Sequence, residues 1–153
     1  MPTPCREQIV AASKSVLALI ATPSGVTVER GRTMPITDDA LPLLVLLQDP
    51  DTPHGEDESF TGERAYTLNI AVEGVIAGAT DLDARAQLAV LRAAAERAML
   101  SDATLGGIAR DVRLMTEPPP PRLQIDSGLP VAAFAIGFEI DFATLETDPF
   151  TFA

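Results

Sequence analysis

Residues 65–107 read AYTLNIAVEGVIAGATDLDARAQLAVLRAAAERAMLSDATLGG, and the order of elements in this stretch sets the architecture. Its first part alternates apolar and polar residues, which is the pattern of a strand with one buried face. A short Gly/Ala/Asp link leads into an alanine-rich segment with apolar residues at helical spacing. Thr80 and Asp83 lie three residues apart, as in a capping box, and the Thr-Leu-Gly-Gly segment is a helix stop. The sequence therefore predicts a strand, a link, a long helix and a stop.

The predicted helix, residues 82–100, has two apolar stripes. The first stripe comprises Ala84, Leu88, Leu91, Ala95 and Met99. The second comprises Leu82, Ala86, Ala89, Val90, Ala93 and Leu100. A helix lying on one sheet needs only one stripe, and small residues in the other would let a second chain approach closely. We therefore predict a subunit contact made by Ala86, Ala89, Val90 and Ala93; the alternative is that alanine serves only helix propensity.

The flanking segments predict a second helix and further strands. The helix covers residues 4–21, with Thr3 as its cap and Pro4 at the first helical position. Strands are predicted, in chain order, at 26–32, 43–48, 64–75, 108–117 and 131–143. This order predicts one α+β domain over residues 1–153, with a largely antiparallel mixed sheet of about 4–5 strands and both helices packed on one face.

The last predicted strand shows the clearest alternation. One face carries Phe134, Ile136, Phe138, Ile140 and Phe142. The other face is small and then acidic, with Glu139 and Asp141, and we expect it to look toward solvent or a neighbouring chain. Residues 144–153 follow as an extended C-terminal tail exposing Phe150 and Phe152, which is either disordered alone or docked on another chain.

Acidic residues dominate the charge and are unevenly placed. The net charge is −11; residues 49–62 carry five acids and residues 126–153 carry five, and neither segment contains Lys or Arg. The first segment is predicted to be a long exposed loop with Asp49, Asp51, Glu56, Asp57 and Glu58. The simplest role of this negative charge is solubility. A more specific role is a surface that repels polyanions or meets a basic partner. With a single lysine, the chain lacks the basic clusters of a nucleic-acid groove.

Residue sets that could carry out a reaction are missing from the sequence. The acidic loop fails the EF-hand pattern, since Pro53 and Phe60 occupy ligand positions and Gly55 falls one place late. His54 is the only histidine and Cys5 the only cysteine, so a zinc site lacks ligands and an internal disulfide cannot form. We therefore expect no catalytic, cofactor or metal residues and no enzyme. Apolar runs also fall short of the roughly 20 residues of a membrane span.

Several segments together resemble the tail terminator (tail-completion) proteins of long-tailed phages, the minor tail protein U-like group. The resemblance lies in the order of elements and in LPLLVLL (41–47), RAYTLNIAVEG (64–74), the Asp/Ala-rich helix, AMLSDATLGGIARDV (98–112) and AAFAIGFEIDF (132–142). It spans most of the chain. Similar proteins occur in phage-like gene transfer agents.

The resemblance implies a structural role without catalysis. Such proteins form a six-membered ring on the finished tail tube, stop its polymerisation and present a surface to the head connector. It implies as partners the chain itself, the tail tube protein and a head–tail stopper or connector, at the tail–neck junction of a virion assembled in the host cytoplasm. DNA would pass through the ring without specific binding, and acidic residues could line that channel.

Three alternatives remain open from the residues. A head–tail stopper or adaptor protein is the nearest within the phage interpretation, because fold analogy does not separate the two. A ferredoxin-like regulatory domain would need a concave pocket with convergent polar groups for a small ligand. A carboxylate-based hydrolase would use the acidic loop and His54.

Overall fold

The computed structural model describes residues 1–49, 52–53 and 62–153, with the backbone alone at 52–53. Within these ranges the structure has two long helices, seven strands and a short 3-10 turn at Asp38–Ala40. In chain order the elements are α1 (Cys5–Leu17), β1 (Thr27–Arg30), β2 (Leu43–Gln48), β3 (Thr52–Pro53), β4 (Glu63–Ala77), α2 (Asp81–Leu100), β5 (Asp111–Leu114), β6 (Val131–Leu145) and β7 (Asp148–Phe152).

The strands form one mixed sheet, which makes the protein an α+β fold with two helices. The order is β1-β2-β4-β6-β5; β3 also pairs with β4, and β7 with β6. β1 runs parallel to β2, whereas the other pairs are antiparallel. The expectation of a largely antiparallel sheet with 4–5 strands therefore fits only in part, since β1 is parallel and β3 and β7 add strands.

The long pairing of β4 with β6 builds the face of the sheet that carries the core. Opposite each other lie Leu68 and Ile140, Ile70 and Phe138, and Val72 and Ile136. All six are nearly or fully buried. At Gly74 the missing side chain leaves the space that the ring of Phe134 fills, since an added Cβ would overlap that ring. The alternation that the sequence showed in these two strands is thus confirmed on the core side.

The helices contact the sheet unequally. α2 lies against β4, β5 and β6, and its buried residues Ala84, Leu91, Ala95 and Met99 belong to the first stripe, as predicted. α1 packs against α2, β1 and β7 and is joined to β1 by Arg30, which donates to Glu7 over 2.6 and 3.0 Å. The expectation that both helices pack on one sheet face fits only in part, because α1 lies beside α2 and against edge elements.

The opposite face of the sheet is covered by the chain itself along β2 and β4. Ile36, Leu43, Val45 and Val75 form a second buried cluster there. Glu73, 3% exposed, accepts hydrogen bonds from the backbone N–H groups of Arg122 (2.5 Å) and Leu123 (3.0 Å). The proline-rich segment after β5 therefore lies across this face, with the side chains of Met115 and Pro119 over Gly137.

The second face of β6, which was expected to look toward solvent or a neighbour, is covered only in part. There Gly137 is buried, Ala133 is exposed, and Ala135, Glu139 and Asp141 are half-buried.

The ends of several elements differ from the sequence prediction. α1 begins after Pro4 without a side-chain cap, and Thr3 instead accepts a hydrogen bond at its carbonyl from Gln8 Nε2 (2.8 Å). α1 ends at Leu17, four residues early, and Leu114 of the short β5 is 42% exposed although its alternation with Val112 predicted burial.

The expectation of a free C-terminal tail over residues 144–153 is wrong. β6 extends to Leu145, and the chain turns back so that β7 pairs with it. Phe152 packs edge-on against Phe142 with ring centroids 6.5 Å apart, which removes it from full exposure. Phe150 remains 41% exposed.

The boundaries of α2 are as predicted. Thr80 caps the helix by accepting from the Asp83 N–H (3.1 Å), and the Asp83 carboxylate accepts from the Ala79 N–H (2.9 Å). After the helix, Leu105, Gly106 and Gly107 adopt positive φ values of 46°, 77° and 93°. Two glycines supply the left-handed backbone at the least steric cost.

We predict that Gly78→Ala destabilises the protein by about 1–3 kcal/mol, because added volume in a packed region forces backbone shifts. A Cβ at Gly78 would lie 2.8 Å from the Cα of Ala84, in the first turn of α2, where the backbone has little room to move. Gly128→Ala is the matched control, since its Cβ would meet only the Asp38 carboxylate at 3.8 Å. Urea unfolding of both variants measures the difference, and equal stabilities would contradict the close approach.

Glu73→Gln should cost about 1–3 kcal/mol, the usual penalty when a buried donor loses its acceptor. The glutamine amide has one acceptor oxygen for the two backbone N–H groups. Its NH₂ group would therefore face the second N–H group, donor against donor. Glu117→Gln, an exposed change in the same segment, is the control and should stay within about 0.5 kcal/mol. Urea midpoints measure both, and an unchanged Glu73→Gln midpoint would show that the carboxylate does not hold the segment.

The turn after α2 should contribute stability that depends on pH. The pKa of Asp102 lies below its ordinary value of 3.8, because its carboxylate accepts from Thr104 Oγ1 and from the Gly106 and Thr104 N–H groups. A lowered acid pKa gives stability that is fully present above the ordinary value and is lost as pH falls through the native one. The stability gap between wild type and Asp102→Asn should therefore be full at neutral pH and shrink below 3.8; unfolding midpoints across pH test this, and a constant gap would refute it.

Candidate subunit interface

The second apolar stripe of α2 is exposed in the isolated chain. Leu82, Val90 and Leu100 are 80%, 47% and 42% exposed. The four residues predicted to make a subunit contact are all in the exposed class: Ala86, Ala89, Val90 and Ala93. The described part of the chain therefore leaves this helix face open, with the small residues in its middle and larger apolar residues at its two ends.

The stripe is exposed because α2 can bury only one side against the sheet. The buried stripe points at β4, β5 and β6, and the second stripe lies roughly half a turn round the helix from it, outside that contact. A salt bridge from Arg92 Nε to Glu96 (3.1 Å) runs along the solvent side. Such an exposed pair contributes little stability, about 0.3–0.5 kcal/mol. The stripe stays accessible, with Arg97, four residues after Ala93 on the same helix face, as a charged residue within it.

A groove beside the stripe was missed by sequence reasoning. It lies between the end of α1 and α2, has a volume of about 600 Å³, and is lined by Val16, Leu19, Ile20, Ala21, Thr22, Val90, Ala93, Ala94, Arg97, Ala98 and Ser101. Leu19 at its rim is 82% exposed. The groove opens because α1 stops at Leu17, and the only sequence signal was Leu19 falling off the buried face of that helix.

The helices differ from the rest of the chain in charge. α1 and α2 together contain five basic and four acidic residues, whereas the remaining residues contain six basic and 18 acidic ones. The exposed α2 face adds Arg85 and Arg97 near the stripe, and both are exposed. The two helices together are thus close to neutral, while the rest of the sequence is acidic.

Glu139 and Asp141, predicted to face a partner or channel, lie around one arginine. Arg113 of β5 donates to Asp111 (3.0 Å), to Glu139 (3.1 Å) and to Asp141. These hydrogen bonds raise the pKa of Arg113, so it stays charged. Asp141 also accepts from Thr67 Oγ1 (2.7 Å). This cluster of Arg113 with three carboxylates is half exposed. Its net charge stays negative, because the one arginine neutralises only part of the charge of the three acids.

Most of the predicted acidic loop lies outside the described residues. Asp49 is described, and Arg122 donates to its two carboxylate oxygens at 2.8 and 3.0 Å. This pair ties the end of β2 to the proline-rich segment. The other acids of the loop, with the histidine discussed above, lie outside the described residues: Asp51, His54, Glu56, Asp57 and Glu58. Their predicted partner-facing role stays a prediction.

Chemistry-bearing groups in the described ranges are few. Within residues 1–49 and 62–153, no three His, Cys, Asp or Glu side chains are placed to hold a metal ion. Cys5 is fully buried. Its burial is the main cause that raises the pKa of its thiol, and the negative charge of Asp148 adds to it.

In the part of the chain that the structure describes, neither helix has the length and apolarity needed to cross a bilayer.

The sequence matches no model of a protein family and no curated protein. The described residues form a small α+β domain with an exposed apolar face on α2.

Proposed function

We propose that this chain is a structural protein of a phage-like tail, the subunit of a ring that caps the tail tube, ends tube polymerisation and joins the tail to the head–neck connector. The supporting observation is the exposed apolar stripe on α2. Contiguous apolar surface on a folded domain is typical of a protein–protein contact. Its central alanines allow close approach of another backbone, and a second copy is the simplest partner.

The geometry of such a contact supports a closed assembly. The stripe is on one side of the molecule, and the acidic surfaces are elsewhere. A contact between two different surfaces of the same chain is head-to-tail, and it gives a ring when the rotation closes. A ring, six-membered by the family resemblance, would leave both of its rims free to meet a tail tube protein on one side and a stopper or connector on the other.

The charge distribution suits a channel through which DNA passes. Acidic walls repel phosphate, and screening limits that repulsion to about 8 Å at physiological salt. Only residues that line the channel would repel the DNA phosphates. The candidates are the acidic loop and the Glu139–Asp141 group. On this proposal the protein works at the tail–neck junction after assembly in the host cytoplasm, and it has no catalytic residues and no cofactor.

A double substitution, Ala89→Arg with Ala93→Arg, should abolish the assembly while sparing the fold. Both positions are exposed, and arginine is a good helix former, so the stability of the subunit should change by less than about 0.5 kcal/mol. Two buried charges at the contact would oppose association. Light scattering after size exclusion measures the mass, and thermal unfolding checks the fold.

Ala11→Arg is the matched control, because Ala11 is an exposed alanine on α1, away from the stripe. It should assemble like the wild type. Normal assembly of the double variant would refute the contact. A wild-type chain that stays monomeric at high concentration and never joins tails in electron micrographs would refute the ring itself.

One observation favours a rival, the small-ligand regulatory domain. The groove beside α2 has a volume within the range of small-molecule sites, and Thr22, Arg97 and Ser101 supply polar groups. A monomer stabilised against heat by a metabolite, with the stabilisation lost on Leu19→Arg, would support that rival over the ring.

A further inference from the structure

Two exposed apolar features lie at different ends of the α1 region. The first, called the socket, is the groove between the end of α1 and α2, represented by Val16, Leu19, Ile20, Val90, Ala94 and Arg97. The second, called the knob, is the β6–β7 hairpin tip with Leu145, Glu146, Pro149 and Phe150, all exposed. The proposed function does not use the knob, and it uses the socket only where Val90 and Ala93 belong to the predicted subunit contact.

The knob combines apolar surface with negative charge. Leu145 and Phe150 are 40% and 41% exposed, and Pro149 lies beside them. Glu146 stands in the turn, where its backbone N–H donates to the Gly62 carbonyl (2.8 Å) and its side chain is exposed. Asp148 stabilises the start of β7, because its carboxylate accepts hydrogen bonds from the Phe150 N–H (3.0 Å) and from Thr151 Oγ1 (2.6 Å). These hydrogen bonds fix the turn that carries the knob.

The socket has the complementary character. Its walls are aliphatic, and the exposed Arg97 is its charged lining residue. It also shares Val90 and Ala93 with the predicted subunit contact, so it continues the stripe across to α1. The two helices that form it carry five basic and four acidic residues, whereas the rest of the chain carries six basic and 18 acidic ones, which favours an acidic partner surface.

Knob and socket of one molecule are too far apart to meet. Asp148 of β7 is close enough to Cys5, the first residue of α1, to act on its thiol electrostatically, whereas the socket begins at Val16. Eleven residues of α-helix span roughly 16 Å. A knob can therefore enter only the socket of another copy.

We propose that Phe150 of each subunit inserts into the socket of the next copy of this chain, with Glu146 facing Arg97. The inference rests on the proposed ring and names the contact that would close it. Because the two surfaces differ, the contact is head-to-tail, and each subunit uses one knob and one socket. A buried aromatic anchor ringed by polar groups is the usual composition of an energetically dominant contact.

The test is a mixing experiment with the full chain. Phe150→Ala removes the knob and Leu19→Arg blocks the socket at a position outside the α2 stripe, so each variant alone should be monomeric by mass photometry. A one-to-one mixture keeps one intact knob and one intact socket per pair and should give a heterodimer and nothing larger. Leu129→Ala, which trims another exposed apolar residue (50% exposed), should assemble like the wild type.

Charge reversal checks the pairing independently. Arg97→Glu and Glu146→Arg should each weaken association roughly fivefold through like-charge contact at the interface rim, and the two changes in one chain should restore it. Thermal unfolding confirms that each variant is folded, and all four positions are exposed.

The outcomes separate the inference from the ring. Rings from Phe150→Ala or Leu19→Arg alone would overturn the knob-and-socket contact and leave the ring standing. Absence of a heterodimer from the mixture, or no recovery on double charge reversal, would also overturn it. A wild-type chain that is monomeric at every concentration would overturn both proposals.

Discussion

β4 and β6 pair along fifteen residues, from Glu63 opposite Leu145 to Ala77 opposite Val131, and the other elements are placed by that ladder. Its helix-facing side supplies the apolar rows on which α2 lies, and its other side carries Glu73 and Gly137, which hold the proline-rich segment. β2 and β5 add to its two edges, and the hairpin with β7 grows from its end. A loss of register here would move every one of these side chains to the wrong face.

α2 keeps an exposed apolar side, because the elements around it are too small to cover both of its stripes. A helix of twenty residues can bury one stripe on the sheet, and α1 covers only part of its flank before ending at Leu17. What remains is an apolar face and an adjoining groove on helices that together have little net charge. The acidic residues are concentrated in the other segments, so the protein has two chemically distinct sides that could face each other in an assembly.

Local periodicity was enough to predict the features that depend on residues close together in the sequence. The buried stripe of α2, its Thr80 cap and the alternation of β6 follow from short-range spacing. Glu73 belongs to the polar row of the β4 alternation, which does not show that backbone N–H groups about 50 residues away bond to it and cover it. β7 was missed because Pro149 inside a short segment argues against a strand. The groove depends on where α1 stops relative to α2, which no local pattern encodes.

The outermost members of the main sheet order, β1 and β5, are only four residues long each, while the two fifteen-residue strands lie inside. Short outer strands present few free backbone groups for another sheet to join. Copies of this protein are thereby discouraged from stacking into fibrils through main-chain bonds. Their mutual recognition is left to side chains, whose shapes and charges can specify a fixed number of neighbours.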